Sequence, residues 1–467
     1  MRETNESMDA KFRPFLRLAK FLSDDFMRQA DEWLFLVGHY GASKMSLPPN
    51  TLAEWIEFFT HCHDGWKRAQ SQIADFLRGA LTQEAQLQKE MKEHHRAKDR
   101  EGQKDAREKA KRVDLEIKIA RRMLDVILWT ILKGEQSTLR RLVVQGGEHN
   151  LSAQNIEDVL PTLEDLNAQP MVMALSTDML SRVHVGDVLK MDLDTGRIEF
   201  LELKSGEKNA QIASTADFAI QSQCEHFEAL ATAEYSKTDR KHYERVKKQA
   251  QRNSTILATI RDERGEDPST GHKVTITDLG KPIEVWSERI QSCYESLTDD
   301  KKWAISSVEE CVYLGVYSDP NIGFVGFNGW MDRRGCSSPV FSLTDSFFYS
   351  SARPLGSTFL SYDLRSKVLR GEIVVIICLD VLRLIELGNR IRPGSMRLAT
   401  RAESAMANKL RVQSLTLGDL SVVMRVGDRD TFLGGGILDR IVFDQHLPSQ
   451  LLEHHLSAGA ESIDEPG

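Results

Sequence analysis

Six cysteines are all that this 467-residue chain holds, at positions 62, 224, 293, 311, 336 and 378, and no two of them form a Cys-x-x-Cys pair. That spacing suits neither a zinc ribbon nor a disulfide scaffold, and a reducing cytoplasm is the expected home. Long apolar runs are missing too. The most apolar stretch, Ile373 to Leu379, falls far short of the ~20 residues that span a bilayer, and Asp380, Arg383 and Glu386 follow it. The first residues, MRETNESMDAKF, are polar and acidic where a signal peptide needs an apolar run, so no membrane partner is expected. The glycines of Asn321–Gly329 and Gly434–Gly436 are not followed by Gly-Lys-Ser/Thr, which argues against an ATP-driven motor. Gly-x-Ser-x-Gly and His-Glu-x-x-His are also absent, and there is no internal repeat.

What is present is enough for folded domains. Apolar residues make up 41% and charged residues 28%, a balance foreign to both a disordered chain and a membrane channel. The length exceeds the roughly 250–300 residues of one core, so two or three domains are expected. A net charge of −8 argues against a histone-like coat for nucleic acid but says nothing of local patches.

The first ~145 residues read as helical. Thr51 stands three residues before Glu54, a capping-box spacing ahead of Leu52, Trp55, Ile56, Phe58 and Phe59. From Gln83 to Arg112 the chain is mainly Ala, Glu, Gln, Lys and Arg, and the return stripe Val113, Leu115, Ile117, Ile119, Met123 and Leu124 predicts a helical hairpin with its tip near Gly102. Gln145-Gly146-Gly147-Glu148 marks a break. Beyond it a helix over 152–166, interrupted by Pro161, precedes a strand at 171–175, strands at 183–193 and 197–204, and helices at 212–235 and 241–260. His61-Cys62-His63-Asp64 is read as packing rather than as a metal site, because residues two apart on a helix do not share a face.

Two carboxylates and a lysine stand out. Asp187 opens one strand, Asp194-Thr195-Gly196 forms a turn, and Glu202-Leu203-Lys204 closes the next strand among Ile198, Phe200 and Leu201. A Thr195-Gly196 loop with Asp194 paired to Arg197 puts Asp187 opposite Lys204, with Glu202 diagonal on the same face. A four-residue loop keeps this parity, whereas a regular three-residue loop separates the carboxylates. Asp187 and Glu202 offer hard oxygens to Mg²⁺ or Mn²⁺, with the Leu203 carbonyl between them as a further donor. Lys204 is placed to act on a water and to stabilise developing negative charge.

An acidic residue, a turn, then Glu-x-Lys on an apolar strand with a helix behind resembles the PD-(D/E)xK phosphodiesterase superfamily, which includes restriction endonucleases, repair nucleases and effectors of bacterial defence. The resemblance covers about a fifth of the chain, with Gly186 where proline is common. It implies a core of helix, three strands, helix and strand, with Asp187, Glu202 and Lys204 as site residues. Glu157 or Glu164 would supply the upstream acid. Gln221 and Gln223 would be polar residues of the following helix, with Phe227 where some members carry tyrosine.

The expected fold class is therefore α/β multi-domain. A helical region at 1–146 carries the hairpin (about 83–125), a restriction-endonuclease-like mixed-sheet core spans 147–318, an accessory α+β region spans 319–456, and a disordered tail spans 457–467. The basic run adds Arg240, Lys241, Arg245, Lys247, Lys248 and Arg252 as nucleic-acid contacts, with Lys237 at its start. The function this implies is a metal-dependent nuclease acting on DNA ahead of RNA, in the manner of an anti-phage or restriction effector. A protein partner or a second copy is expected at the hairpin. The competing reading is a non-catalytic scaffold or nucleic-acid-binding protein that uses the hairpin and residues 237–252.

Overall fold

The computed structural model describes residues 18–132, 139, 151–181, 183, 186–192, 194–203, 207–222, 224–262, 264–266, 273–275, 283–349, 351–410 and 412–461. Among these, helices are joined by several small sheets whose strand pairs are all antiparallel. No described helix is long and apolar enough to cross a membrane. The chain divides into two units, residues 40–277 and residues 1–39 with 278–467. The break expected at 146/147 lies outside the described residues.

In the 40–277 unit the hairpin is longer than its charged stretch suggested. Helix α1 runs Leu52–Ala97 and α2 runs Arg100–Ile131. Thr51 and Glu54 form the expected capping box, each accepting the other's backbone N–H, at 3.3 and 2.8 Å. The chain reverses at Lys98, in the left-handed region at φ 57°, and at Asp99, whose carboxylate accepts the Gly102 N–H at 3.0 Å. Gly102 thus lies in the first turn of α2, just past the tip. A Cβ there would strike the His94 ring and the Asp99 carboxylate. Ile73, Leu77 and Leu87 of α1 and Val113, Ala120, Met123, Leu124 and Ile127 of α2 are buried along the hairpin.

Helix α3 (Ala153–Asn167) follows and carries Pro161 without ending. It packs on β1 (Val172–Ser176), and β2 (Val188–Asp192) and β3 (Arg197–Leu201) complete a meander in the order β1-β2-β3. The hairpin helices hold this sheet by polar contacts to its backbone. Gln70 of α1 donates to the Ala174 carbonyl at 2.9 Å and accepts the Ser176 N–H at 3.2 Å. Arg121 of α2 donates to the carbonyls of Asp178, Met179 and Leu180, and Asp125 accepts the N–H and hydroxyl of Ser181. Asp125 also pairs with Arg122 at 2.7 Å, with both side chains at most 2% exposed.

Helices α4 (Glu207–Ser222), α5 (Glu225–Ala231) and α6 (Lys237–Asp262) come next. Ile212 and Ala216 of α4 pack against Tyr243 and Val246 of α6. The strands after α6, β4 (Arg264–Glu266) and β5 (Lys273–Thr275), pair only with each other. The expected mixed sheet with a fourth core strand is therefore corrected to a three-stranded antiparallel meander plus a separate ribbon. A parallel partner needs a crossover back to the sheet, and this segment instead turns on itself.

The other unit joins chain ends that the expected domain limits kept apart. Helix Asp24–Gly38, capped by Ser23, buries Phe26, Trp33, Leu34 and Val37. It docks on helix Tyr362–Arg370, where Arg365 donates to the Gly38 carbonyl at 3.0 Å and Ser366 to Asp31 at 2.6 Å. A four-stranded sheet in the order 303–308, 312–317, 374–379, 340–342 runs straight across the 318/319 limit. Residues 457–461, expected to be disordered, continue helix Pro448–Glu461.

Asp125 is the group whose loss this packing tolerates least. Asp125→Ala leaves Arg122 charged and buried and strips Ser181 of its acceptor, so unfolding free energy from denaturant titration should fall by about 3–5 kcal/mol.

Candidate active site

Two short turns set the position of the acidic pair. The last β2–β3 pair is Asp192↔Arg197, leaving a four-residue loop over 193–196. The Asp192 carboxylate accepts the N–H groups of Asp194 at 3.0 Å and Thr195 at 3.1 Å, and these bonds, the Thr195 backbone first, hold its pKa below the usual carboxylate range. Gly196, at φ 67°, closes the loop. The side chain therefore ends the strand two residues earlier than the expected Asp194↔Arg197 pairing. The register moves by two. The last registered pair is Val188↔Leu201, and Asp187 and Glu202 are the residues that adjoin it.

Asp187 is also drawn out of the regular ladder. Its N–H donates to the Leu201 carbonyl at 2.8 Å, although Leu201 is the registered partner of Val188. Its own carbonyl accepts the Thr177 N–H at 3.0 Å. Two residues of one strand against one of its neighbour is a β-bulge, a device that re-aims a side chain. Gly186 allows it, lying at φ 68° with its α-carbon close to the Leu201 carbonyl and the Phe200 side chain. The Asp187 carboxylate then accepts the Leu203 N–H at 2.5 Å. Asp187 thus bonds the backbone on both sides of Glu202, through Leu201 and through Leu203.

Glu202 is exposed and reaches toward α6. Asn253 donates to its Oε1 at 2.8 Å and Gln249 to the same oxygen at 3.3 Å. Neither residue is legible as a site residue in sequence: they are neutral amides inside a charged helix, 47 and 51 positions from the carboxylate. The Lys190–Glu199 ion pair at 3.4 Å shares a face of the hairpin with Val188 and Leu201.

The other candidates divide. Lys204 and Gln223 lie outside the described residues. Glu157 and Glu164 are exposed on α3 and Gln221 on α4. Among the described residues no three His, Cys, Asp or Glu side chains cluster as a metal set. His63 is buried against Trp66 and held at a pKa of about 4 by burial, while Cys62 packs on Gly41.

The basic run on α6 resolves by helical spacing. The helix carries eight Lys or Arg against three Asp or Glu. Lys237, Lys241, Arg245, Lys248 and Arg252, spaced four, four, three and four apart, share one face. The first four are exposed and Arg252 is half-buried. Lys247 leaves this set: it pairs inward with Glu228 at 2.5 Å, while Tyr243 donates to the same carboxylate at 3.0 Å. The Lys247 ammonium, then the Tyr243 hydroxyl, hold Glu228 below the usual carboxylate range. Arg240 is exposed but turns one guanidinium nitrogen to the Thr232 carbonyl at 3.3 Å. Gln249 and Asn253 each come one residue after a member of the stripe, so the stripe runs beside the Glu202 contact.

The register is open to a direct test. Opposed strand positions stand about 4.5–5.5 Å apart at Cα, inside the disulfide window, whereas two residues further along adds about 6.8 Å. In a Cys224→Ala background, cysteines replacing Met191 and Ile198 should cross-link under mild oxidation, and cysteines replacing Met191 and Phe200 should not; peptide mapping reads both. Compared with known proteins, the chain matches no family model, no curated protein and no solved structure, so the reading of this site rests on its own geometry.

Proposed function

We propose that the chain is a metal-dependent phosphodiesterase acting on nucleic acid, DNA ahead of RNA, with Asp187, Glu202 and Lys204 as its working residues. The observation that carries this reading is the bulge: Asp187 bonds the backbone on both sides of Glu202, which ties the two acidic residues to one end of the hairpin. The resemblance of Asp187, the turn and Glu202-Leu203-Lys204 to the PD-(D/E)xK pattern supports it.

The donor set suits Mg²⁺ or Mn²⁺. Asp187 and Glu202 are hard oxygen ligands of the sort these ions take alongside several waters, and the Leu203 carbonyl is a third. Such an ion, when bound, neutralises phosphate charge and makes a bound water more acidic. The protein's own share is positional. In hydrolysis a water oxygen bonds to phosphorus as the bridging P–O bond breaks; the water gives up one proton and the departing oxygen takes one. Lys204 opposes the charge gathered on the phosphoryl oxygens. The α6 stripe would carry the polymer past Glu202. From Lys237 to Arg252 it extends about 22 Å, over which one B-DNA strand sets out about six phosphates.

Purified wild type, Glu202→Ala and Lys204→Ala, each with Mg²⁺, Mn²⁺ or EDTA, should be offered plasmid, linear duplex, single-stranded DNA and RNA. Wild type should cut at least one of these; Glu202→Ala and EDTA should abolish cutting, and Lys204→Ala should slow it by about 10²–10³-fold. Binding that survives in all three with no cutting would leave a binding module instead. Salt titrations divide the stripe from its neighbour: Lys241→Ala and Lys248→Ala should each lower the slope of log affinity against log salt by about 0.9. Lys247→Ala, whose side chain faces Glu228, should leave that slope unchanged.

A further inference from the structure

Asn253 is held in a way that packing alone does not explain. It is 8% exposed, in the middle of α6, and its amide nitrogen donates to Glu202 Oε1 at 2.8 Å. Its amide oxygen is buried and meets no hydrogen-bond donor among the described residues. A buried asparagine that serves stability alone has both ends of its amide matched, because an unmet acceptor costs the full loss of its hydration. This one satisfies the exposed carboxylate of Glu202 at one end and leaves a hard carbonyl oxygen unmatched at the other. Gln249, one turn earlier, donates to the same Glu202 oxygen at 3.3 Å.

Resting on the phosphodiesterase reading, we infer that Asn253 and Gln249 are positioning residues for Glu202. The two amides converge on Oε1 and fix the direction in which the carboxylate presents Oε2. Glu202 lies at the end of β3, beyond its last paired residue, Leu201, so the strand alone does not order its side chain. Helix α6 does, and α6 is itself anchored away from Glu202 by Tyr243, Val246 and the Lys247–Glu228 pair. Loss of the amides removes two donors from a long exposed side chain, and part of the binding energy for a cation would then go into ordering it.

The inference sets Asn253 apart from a structural residue in a measurable way. Mn²⁺ dissociation constants by calorimetry, with kcat, KM and Tm, should be measured for wild type, Glu202→Gln, Asn253→Asp, Asn253→Ala and Gln249→Ala. Asn253→Asp keeps the volume but faces Glu202 with an acceptor in place of a donor. It and Asn253→Ala should weaken Mn²⁺ binding and lower kcat by about 10–100-fold with KM for nucleic acid near wild type. Gln249→Ala, with the longer bond and partial exposure, should do the same to a smaller extent without changing Tm. Wild-type Mn²⁺ affinity in all three amide variants, with Glu202→Gln unable to bind, would overturn the positioning role and leave the phosphodiesterase reading standing. Mn²⁺ binding that Glu202→Gln does not alter, in a protein that cuts nothing, would overturn both.

Discussion

An edge strand must find partners for the N–H and C=O groups that point away from its sheet, and in β1 side-chain amides provide them. Ala174 and Ser176 turn their backbone groups outward; Gln70 from α1 and Asn167 from α3 meet them as a fourth strand would. Strands of five residues in a sheet of three have little stability of their own, so these bonds join the sheet to the helical hairpin as one unit. The hairpin is the floor on which the sheet stands, which is why its charged composition misleads as to its role.

The position of Asp187 descends from the same contacts. The connection leaving β1 is pinned at Asp178–Leu180 by Arg121 and at Ser181 by Asp125, and its start returns to β2 through Thr177, which bonds both Gly186 and Asp187. With both ends of the connection fixed, Gly186 absorbs the surplus residue as a left-handed step, and Asp187 is turned toward Leu203. On the far side α6 supplies Gln249 and Asn253. The two carboxylates are therefore oriented by different helices, Asp187 from α2 by way of the connection and Glu202 from α6.

Much of this was legible along the chain, for identifiable reasons. The capping box at Thr51 and Glu54 and the β2–β3 hairpin are each announced by residues within four positions of one another. The register of the β2–β3 hairpin was not legible: whether Asp192 or Asp194 ends the strand depends on which carboxylate caps the turn, and both stand next to it. Nor could the partner of helix Asp24–Gly38 be read, since its apolar stripe announces a need for burial and not an address. The bond that answers it, Arg365 to Gly38, spans 327 positions.

The basic run shows the same limit at the scale of one residue. Lys247 and Lys248 are adjacent and chemically identical, yet a step of about 100° around the helix sends one into an ion pair with Glu228 and the other to the surface. Counting charge along the sequence gives both the same weight. Dividing the run by helical periodicity separates a stripe of five from Lys247, which anchors α6 so that the stripe stays beside Glu202. That arrangement reconciles a net charge of −8 with the polyanionic substrate proposed for the chain. Screening confines each charge's reach to about 8–10 Å, so a polymer on this helix responds to the stripe beneath it and little to the acidic remainder of the chain.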